Sequence, residues 1–206
     1  MNKYRATLLP DGTYHVYNRA HGEEKLFIED MNYHYFLKKF KEYIHPIAEV
    51  YSYCLMPNHF HVLLKIKSEE ELNAYFEIAW EEKSNRSKSF PIDKKVTQQF
   101  SNFFNAYTKA FNKVYSRLGG LFISNYRRIK IDSDRQFINT VKYIHLNPVH
   151  ARISNKPEQW VHSSYKAFIS DGHTLIDKSF VVNYFGDLEN FVHVHSRANA
   201  FNIEII

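Results

Sequence analysis

The order of local patterns along the chain predicts an α+β fold: a ferredoxin-like (split βαβ) antiparallel sheet with helices on one face, plus an inserted helix and loop and a C-terminal extension. Three observations predict it. Apolar periodicity switches between 2 and about 3.6 residues in the order strand, helix, strand, strand, helix, strand. The breaks between patterns fall at Asp11-Gly12, Pro46, Pro57-Asn58 and Gly119-Gly120, all strong local punctuation. The chain has 206 residues, enough for one embellished domain at roughly 150 residues per domain.

Each element has its own warrant. After the Asp11-Gly12 turn, Tyr14-His15-Val16-Tyr17-Asn18-Arg19 is short and rich in strand-favouring side chains. Asp30 is placed to cap a helix in which Phe36, Phe40, Tyr43 and Ile44 recur at helical spacing up to Pro46. Ile47 to Met56 reads as an apolar strand, and His59 to Lys67 follows it across Pro57-Asn58, so the pair is a hairpin or a kinked strand around a tight turn. Leu72, Tyr75, Phe76 and Ala79 share one face of a helix over 68–82, and the polar, basic stretch 83–95 reads as a mobile inserted loop. A long helix from Val96 to Leu118 carries Phe100, Phe103, Phe104, Tyr107, Phe111, Val114 and Tyr115 as a core stripe rather than a base-stacking platform. Leu121 to Ile131 is strand-like. Ser133 or Asp132 caps a further helix, which Pro148 ends at Asn147 because proline disfavours helical angles in the residue before it. Beyond lie an irregular stretch, a short helix within 178–186 and a polar tail. The expected division is a single domain over 1–206: a palm at 10–131 with the 68–95 insertion, a helix at 132–147 and an extension at 148–206.

Composition excludes several classes. With 44% apolar, 17% aromatic and 24% charged residues the chain is globular. No run approaches the ~20 apolar residues of a membrane span, and the N-terminus lacks the pattern of a signal peptide; a cytoplasmic protein without membrane contact is expected. The one cysteine, Cys54, supports neither an internal disulfide nor a thiolate metal cluster. Any metal site must use His, carboxylate or amide ligands. A net charge of +5 favours a polyanionic partner.

Two strings carry candidate chemistry. In Pro57-Asn58-His59-Phe60-His61-Val62-Leu63-Leu64, strand alternation puts His59 and His61 on one face, about 6.6 Å apart, with Phe60, Val62 and Leu64 toward the core. Two imidazoles can thus meet one ion, or the pair can sit on a solvated sheet face. His193-Val194-His195 has the same form but no apolar strand after it and no identifiable partner. In Tyr143-Ile144-His145-Leu146-Asn147-Pro148, Tyr143 and Asn147 are i, i+4 neighbours on a helix, with Cβ atoms about 5–6 Å apart. They can approach the same ion or phosphate, or else be a packed ring and a helix-terminal amide.

Together these strings are more specific. The sequence resembles the single-tyrosine HUH transposases, and in particular the REP-associated tyrosine transposases. The resemblance rests on Tyr14 to Arg19, Leu55 to Leu64, Gly120-Leu121-Phe122, Tyr143 to Val149 and Trp160-Val161-His162-Ser163-Ser164-Tyr165, and spans about residues 10–170. It implies a ferredoxin-like palm that cuts and rejoins single-stranded DNA in transposition and recombination. Tyr143 would be the nucleophile, His59 and His61 metal ligands, and Asn147 the third, polar ligand. In the insertion-sequence branch that third ligand is a glutamine at the same offset; asparagine fits the REP-associated branch and has a shorter reach.

The implied chemistry suits these residue types. A divalent cation offsets phosphodiester charge and polarises the phosphoryl oxygen, and two His with one amide suit Mg²⁺ or Mn²⁺. Tyrosine, with a pKa near 10, attacks to form a 5′-phosphotyrosine and a free 3′-OH. Arg19, Arg127, Arg128 and Lys130 are candidate DNA contacts, with a solvated basic face as the alternative. Family members bind hairpin DNA. The insertion-sequence branch works as dimers and the REP-associated branch as monomers; the extension after Pro148 favours a monomer here, with a homodimer as the alternative. Two rival functions are a non-catalytic hairpin-binding or regulatory descendant, and a metal phosphoesterase that uses water in place of Tyr143.

Overall fold

The computed structural model describes residues 4–81, 90–172 and 174–196. Strand β1 (Thr13–Arg19) begins after the predicted turn, where Asp11 takes a left-handed φ of 59°. Gly12 is required beside it. The Tyr14 ring folds back so closely that a Cβ at position 12 would meet it at 2.5 Å, and the Tyr14 hydroxyl accepts the Leu9 N–H at 2.9 Å. Helix α1 (Asp30–Tyr43) follows. Asp30 is its first residue and not its cap; the free N–H groups ahead of it, on Ile28 and Glu29, donate to the Asn32 side chain.

Strands β2 (Ala48–Met56) and β3 (His59–Ile66) form the predicted hairpin around Pro57-Asn58, with Met56 opposite His59. Helices α2 (Glu69–Glu81) and α3 (Ile92–Val114) precede β4 (Arg127–Lys130). The α3 helix starts and ends earlier than its aromatic stripe suggests, so Ile92 to Lys95 belong to its first turn and Val114 is exposed. The rest of the expected 83–95 loop lies mostly outside the described residues. The strand expected over Leu121–Ile131 is also shorter. Phe122 bridges to Ala20, then Asn125 turns with φ of 62° before Arg127 pairs with Tyr17.

The sheet is antiparallel with order β2-β3-β1-β4, the split βαβ arrangement. Its two faces carry two cores. Tyr14, Val16, Phe60, Val62 and Leu64 pack with Phe36 and Phe40 of α1 and Phe100, Phe103 and Tyr107 of α3. Cys54, Met56 and Leu63 pack on the other face with Phe137, Val141 and Ile144 of helix α4 (Asp134–His150). Each large apolar side chain so buried contributes on the order of 1.5–3 kcal/mol.

Ser133 caps α4 through the Gln136 N–H, as expected, but Pro148 does not end it. The helix runs one turn further, to His150. Pro148 is buried, and the Ala151 N–H closes that turn on the Asn147 carbonyl. Asn147 therefore keeps helical geometry relative to Tyr143.

The chain after α4 is less irregular than its sequence suggests. Residues 162–164 line the β2 edge: the Leu55 N–H donates to His162 O, Ser164 N–H to Tyr53 O, and the Trp160 indole to Leu55 O. Such cover shields an edge strand from pairing with another chain. Short helices α5 (Tyr165–Phe168) and α6 (Lys178–Asn183) lead to α7 (Leu188–Ser196), which stands where a polar tail was expected. Its Phe191 and His195 are fully buried. His195 also has the partner its sequence did not reveal. Its Nδ1–H donates to Phe191 O at 2.7 Å, so its Nε2 accepts from His145 Nδ1 at 3.0 Å, and His145 Nε2 accepts from the Ser164 hydroxyl at 2.8 Å. This buried relay ties α7, α4 and the β2 cover together.

Candidate functional site

Strand alternation sets the site. Pairing places Tyr17 opposite His61 and Arg19 opposite His59, so His15, Tyr17, Arg19, His59 and His61 share the sheet face that α4 covers. The histidine pair is not on a solvated face: His61 is buried and His59 half-buried. From α4 the Tyr143 ring meets His61 edge-on at 5.2 Å between centroids and His15 at 6.0 Å. One turn on, Asn147 Oδ1 lies 3.0 Å from His59 Nε2. Residues separated by 88 positions thus converge in one cluster.

Both β3 histidines are tied through the same ring nitrogen. His59 Nδ1 lies 2.7 Å from Asn58 Oδ1, and His61 Nδ1 lies 3.0 Å from His15 Nε2. When each Nδ1–H donates to that neighbour, each Nε2 keeps a lone pair, the form in which imidazole binds a metal. A neutral imidazole has one N–H, so His59 cannot serve Asn58 and Asn147 oxygens at once. Its Nε2 lone pair then faces an oxygen acceptor at 3.0 Å, an arrangement a cation between them relieves. Among the described residues no three His, Cys, Asp or Glu side chains surround a common point. A metal here would be held by His59, His61 and the Asn147 amide, completed by oxygens from outside the protein.

Burial sets the protonation states. It lowers His61 well below its usual range, helped by His15 and His59, and it lowers His59 despite the Asn147 contact. His15 is pushed down to about 3 by burial alone, so it stays neutral. Burial raises the Tyr143 phenol, partly opposed by its hydrogen bond with the Asn147 amide. Without a cation nearby that hydroxyl remains protonated near neutrality.

The four candidate basic residues do not act on one face. Arg19 lies beside His59 and Arg127 beside Tyr17, on the site face. Arg128 and Lys130 point to the opposite face, opposite Val16 and Tyr14; Lys130 pairs with Asp132 at 2.7 Å. Sequence reasoning gave no role to His15 and Tyr17. Tyr17 has its ring 4.9 Å from His15 and 5.3 Å from His61, and its hydroxyl is buried with no hydrogen-bond partner among the described residues. Burial pushes that phenol up to about 12. The signal was present: His15 and Tyr17 alternate with Tyr14 and Val16, as His59 and His61 alternate with Phe60 and Val62.

Fold and site together describe a split βαβ sheet with a histidine, tyrosine and amide cluster roofed by a helix of the same chain. No family model matches the chain, and no curated protein does. The structure of a REP-associated tyrosine transposase bound to a REP hairpin is similar to it, with a TM-score of 0.54 and 15% sequence identity over 85% of this chain and 90% of that one. The likeness is one of fold. No helix among the described residues is long and apolar enough to cross a membrane.

Proposed function

We propose that this protein is a metal-dependent single-stranded DNA endonuclease and strand transferase, a transposase acting on hairpin DNA with Tyr143 as nucleophile. The observation that carries the reading is the convergence of His59, His61, Asn147 and Tyr143 in one cluster on the α4-covered sheet face. The fold it shares with a hairpin-bound transposase supports the choice of substrate.

A Mg²⁺ or Mn²⁺ ion held by His59, His61 and Asn147 would supply positive charge for the scissile phosphate and for the phenolate. Tyr143 Oη attacks phosphorus as its proton leaves; the P–O3′ bond breaks, giving a 5′-phosphotyrosine and a 3′-OH. Because the phosphoester is kept, a second 3′-OH can displace Tyr143 and rejoin DNA without ATP. His15 holds the His61 ring, and Asn58 holds the His59 ring. Arg19 and Arg127 flank the cluster, where phosphates on either side of the cut would lie. Tyr143 reaches the histidines of its own chain, which supports action as a monomer.

The test is a denaturant-resistant adduct between the protein and labelled hairpin DNA in Mn²⁺. Tyr143→Phe is expected to abolish it while hairpin binding persists. An adduct formed equally by Tyr143→Phe would overturn the nucleophile assignment. Cleavage with no adduct would point to water as nucleophile, and binding without cleavage to a binding protein.

A further inference from the structure

On the α1 face of the sheet, opposite to the histidine cluster, a cavity of about 370 Å³ opens at the β2 edge. Phe36 and Phe40 of α1 form one wall, Val50, Leu55 and Val62 of the sheet form the floor, and Ile176 of the extension bridges to Val50 and closes the far side. Close-packed interiors hold few voids larger than a water molecule, whereas this volume falls in the range of small-molecule sites, roughly 300–1,000 Å³. The mouth is cationic. Lys38 and Lys41 line it from exposed positions three residues apart on α1, and neither has an ion-pair partner among the described residues. His45 sits with them, edge-on to the Phe40 ring at 5.9 Å, and burial together with Lys41 and Lys67 holds it below its ordinary range. Among the described residues no carboxylate lines the cavity.

We propose that this cavity binds a small amphipathic anion, a medium-chain carboxylate whose hydrocarbon tail lies against Phe36, Phe40, Val50 and Leu55 and whose carboxylate sits between Lys38, Lys41 and His45. Two features select this chemistry. The apolar walls and floor favour a hydrocarbon body, which gains affinity with every methylene taken out of water. At the mouth, residues three apart on a helix are surface neighbours, so Lys38 and Lys41 repel each other and an anion between them offsets that repulsion. A neutral or cationic head gains nothing there. A polyanion such as DNA could meet the lysines but would leave the apolar interior empty. The ligand would touch the palm through α1 and the extension through Leu175 and Ile176, so its binding would stabilise their contact. The cavity and the histidine cluster lie on opposite faces of the sheet, and the inference stands apart from the DNA-cutting reading.

The test is isothermal titration of the full chain with hexanoate, octanoate and decanoate, and with 1-octanol and octylammonium as head-group controls. Affinity is expected to rise about fourfold per added methylene along the carboxylate series, and octanoate should bind more tightly than either control. Combining Lys38→Glu with Lys41→Glu should weaken octanoate by about tenfold and leave 1-octanol unchanged. Leu175→Trp, an exposed position whose indole would fill the cavity, should abolish binding of both. Octanoate should raise the melting temperature of the wild type and not that of Leu175→Trp, whose own unfolding without ligand stays close to wild type. No binding of any carboxylate, equal affinity for octanoate and octylammonium, no gain with chain length, or full binding by Leu175→Trp would each overturn the site. Displacement of octanoate by hairpin DNA would assign the two lysines to a DNA surface and overturn it as well. None of these results bears on Tyr143 or the histidine cluster.

Discussion

His59 Nε2 and Asn147 Oδ1 stand 3.0 Å apart, one on a strand and one on the helix that roofs it. When the His59 Nδ1–H donates to Asn58, two lone pairs face each other, and the pair is arranged for a cation more than for itself. Asn147→Ala is expected to weaken Mn²⁺ binding by about 10–100-fold, with a stability loss of only about 1 kcal/mol for its lost hydrogen bond with Tyr143. Titration of Mn²⁺ followed by electron paramagnetic resonance checks this. Unchanged affinity would take Asn147 out of the ligand set.

Tyr17 offers a sharp separation of function from stability. Its buried hydroxyl has no hydrogen-bond partner among the described residues, so Tyr17→Phe removes an unsatisfied group and should leave the melting temperature unchanged or raised. If that hydroxyl meets the scissile phosphate, the variant cleaves hairpin DNA more slowly. A matching control is Tyr14→Phe, which loses the Leu9 bond and should cost about 1 kcal/mol without touching the site face.

Among the basic residues, Arg19→Ala and Arg127→Ala are each expected to reduce the slope of log affinity against log salt by about 0.7–0.9. Lys130→Ala should have little effect on that slope, because Lys130 lies on the other face and already pairs with Asp132. Equal effects from all three would mean that the DNA does not distinguish the two faces.

The buried His145–His195 pair predicts acid sensitivity. Burial holds His195 at about 4, down from its ordinary 6.5, and holds His145 well below its usual value. Between pH 6.5 and 4 the unfolded chain binds protons that the folded chain does not, so stability falls as pH drops through that window and is level above it. His195 alone should contribute a loss of roughly 2 kcal/mol by pH 5. Thermal unfolding at pH 7 and pH 5 measures it, and His195→Phe should shrink the difference.

Much of this was legible locally. The hairpin around Pro57-Asn58, the shared face of His59 and His61, the Tyr143 and Asn147 spacing and the Ser133 cap all depend on strand or helix period and on turn chemistry, which act over a few residues. The errors have one origin as well. Pro148 biases the residue before it away from helix, yet Pro148 is buried and the Ala151 N–H still closes a helical turn on the Asn147 carbonyl. In the polar stretch from 186 onward Leu188, Phe191, Val192 and His195 do recur at helical spacing, but nothing local reveals that His195 meets His145 of α4. Likewise Arg127, Arg128 and Lys130 read as one basic strand, while pairing with β1 divides them between two faces.

The sequence by itself determined which residues share a face of each element, because periodicity is a property of the local backbone. Only the tertiary structure decided that the histidine face is roofed and not solvated. It also brought His15 and Tyr17 in beside the predicted pair and seated the Arg128 guanidinium on the Tyr126 ring. Those outcomes depend on which element covers which surface, and that choice is made by the burial of two cores formed from residues far apart in the chain.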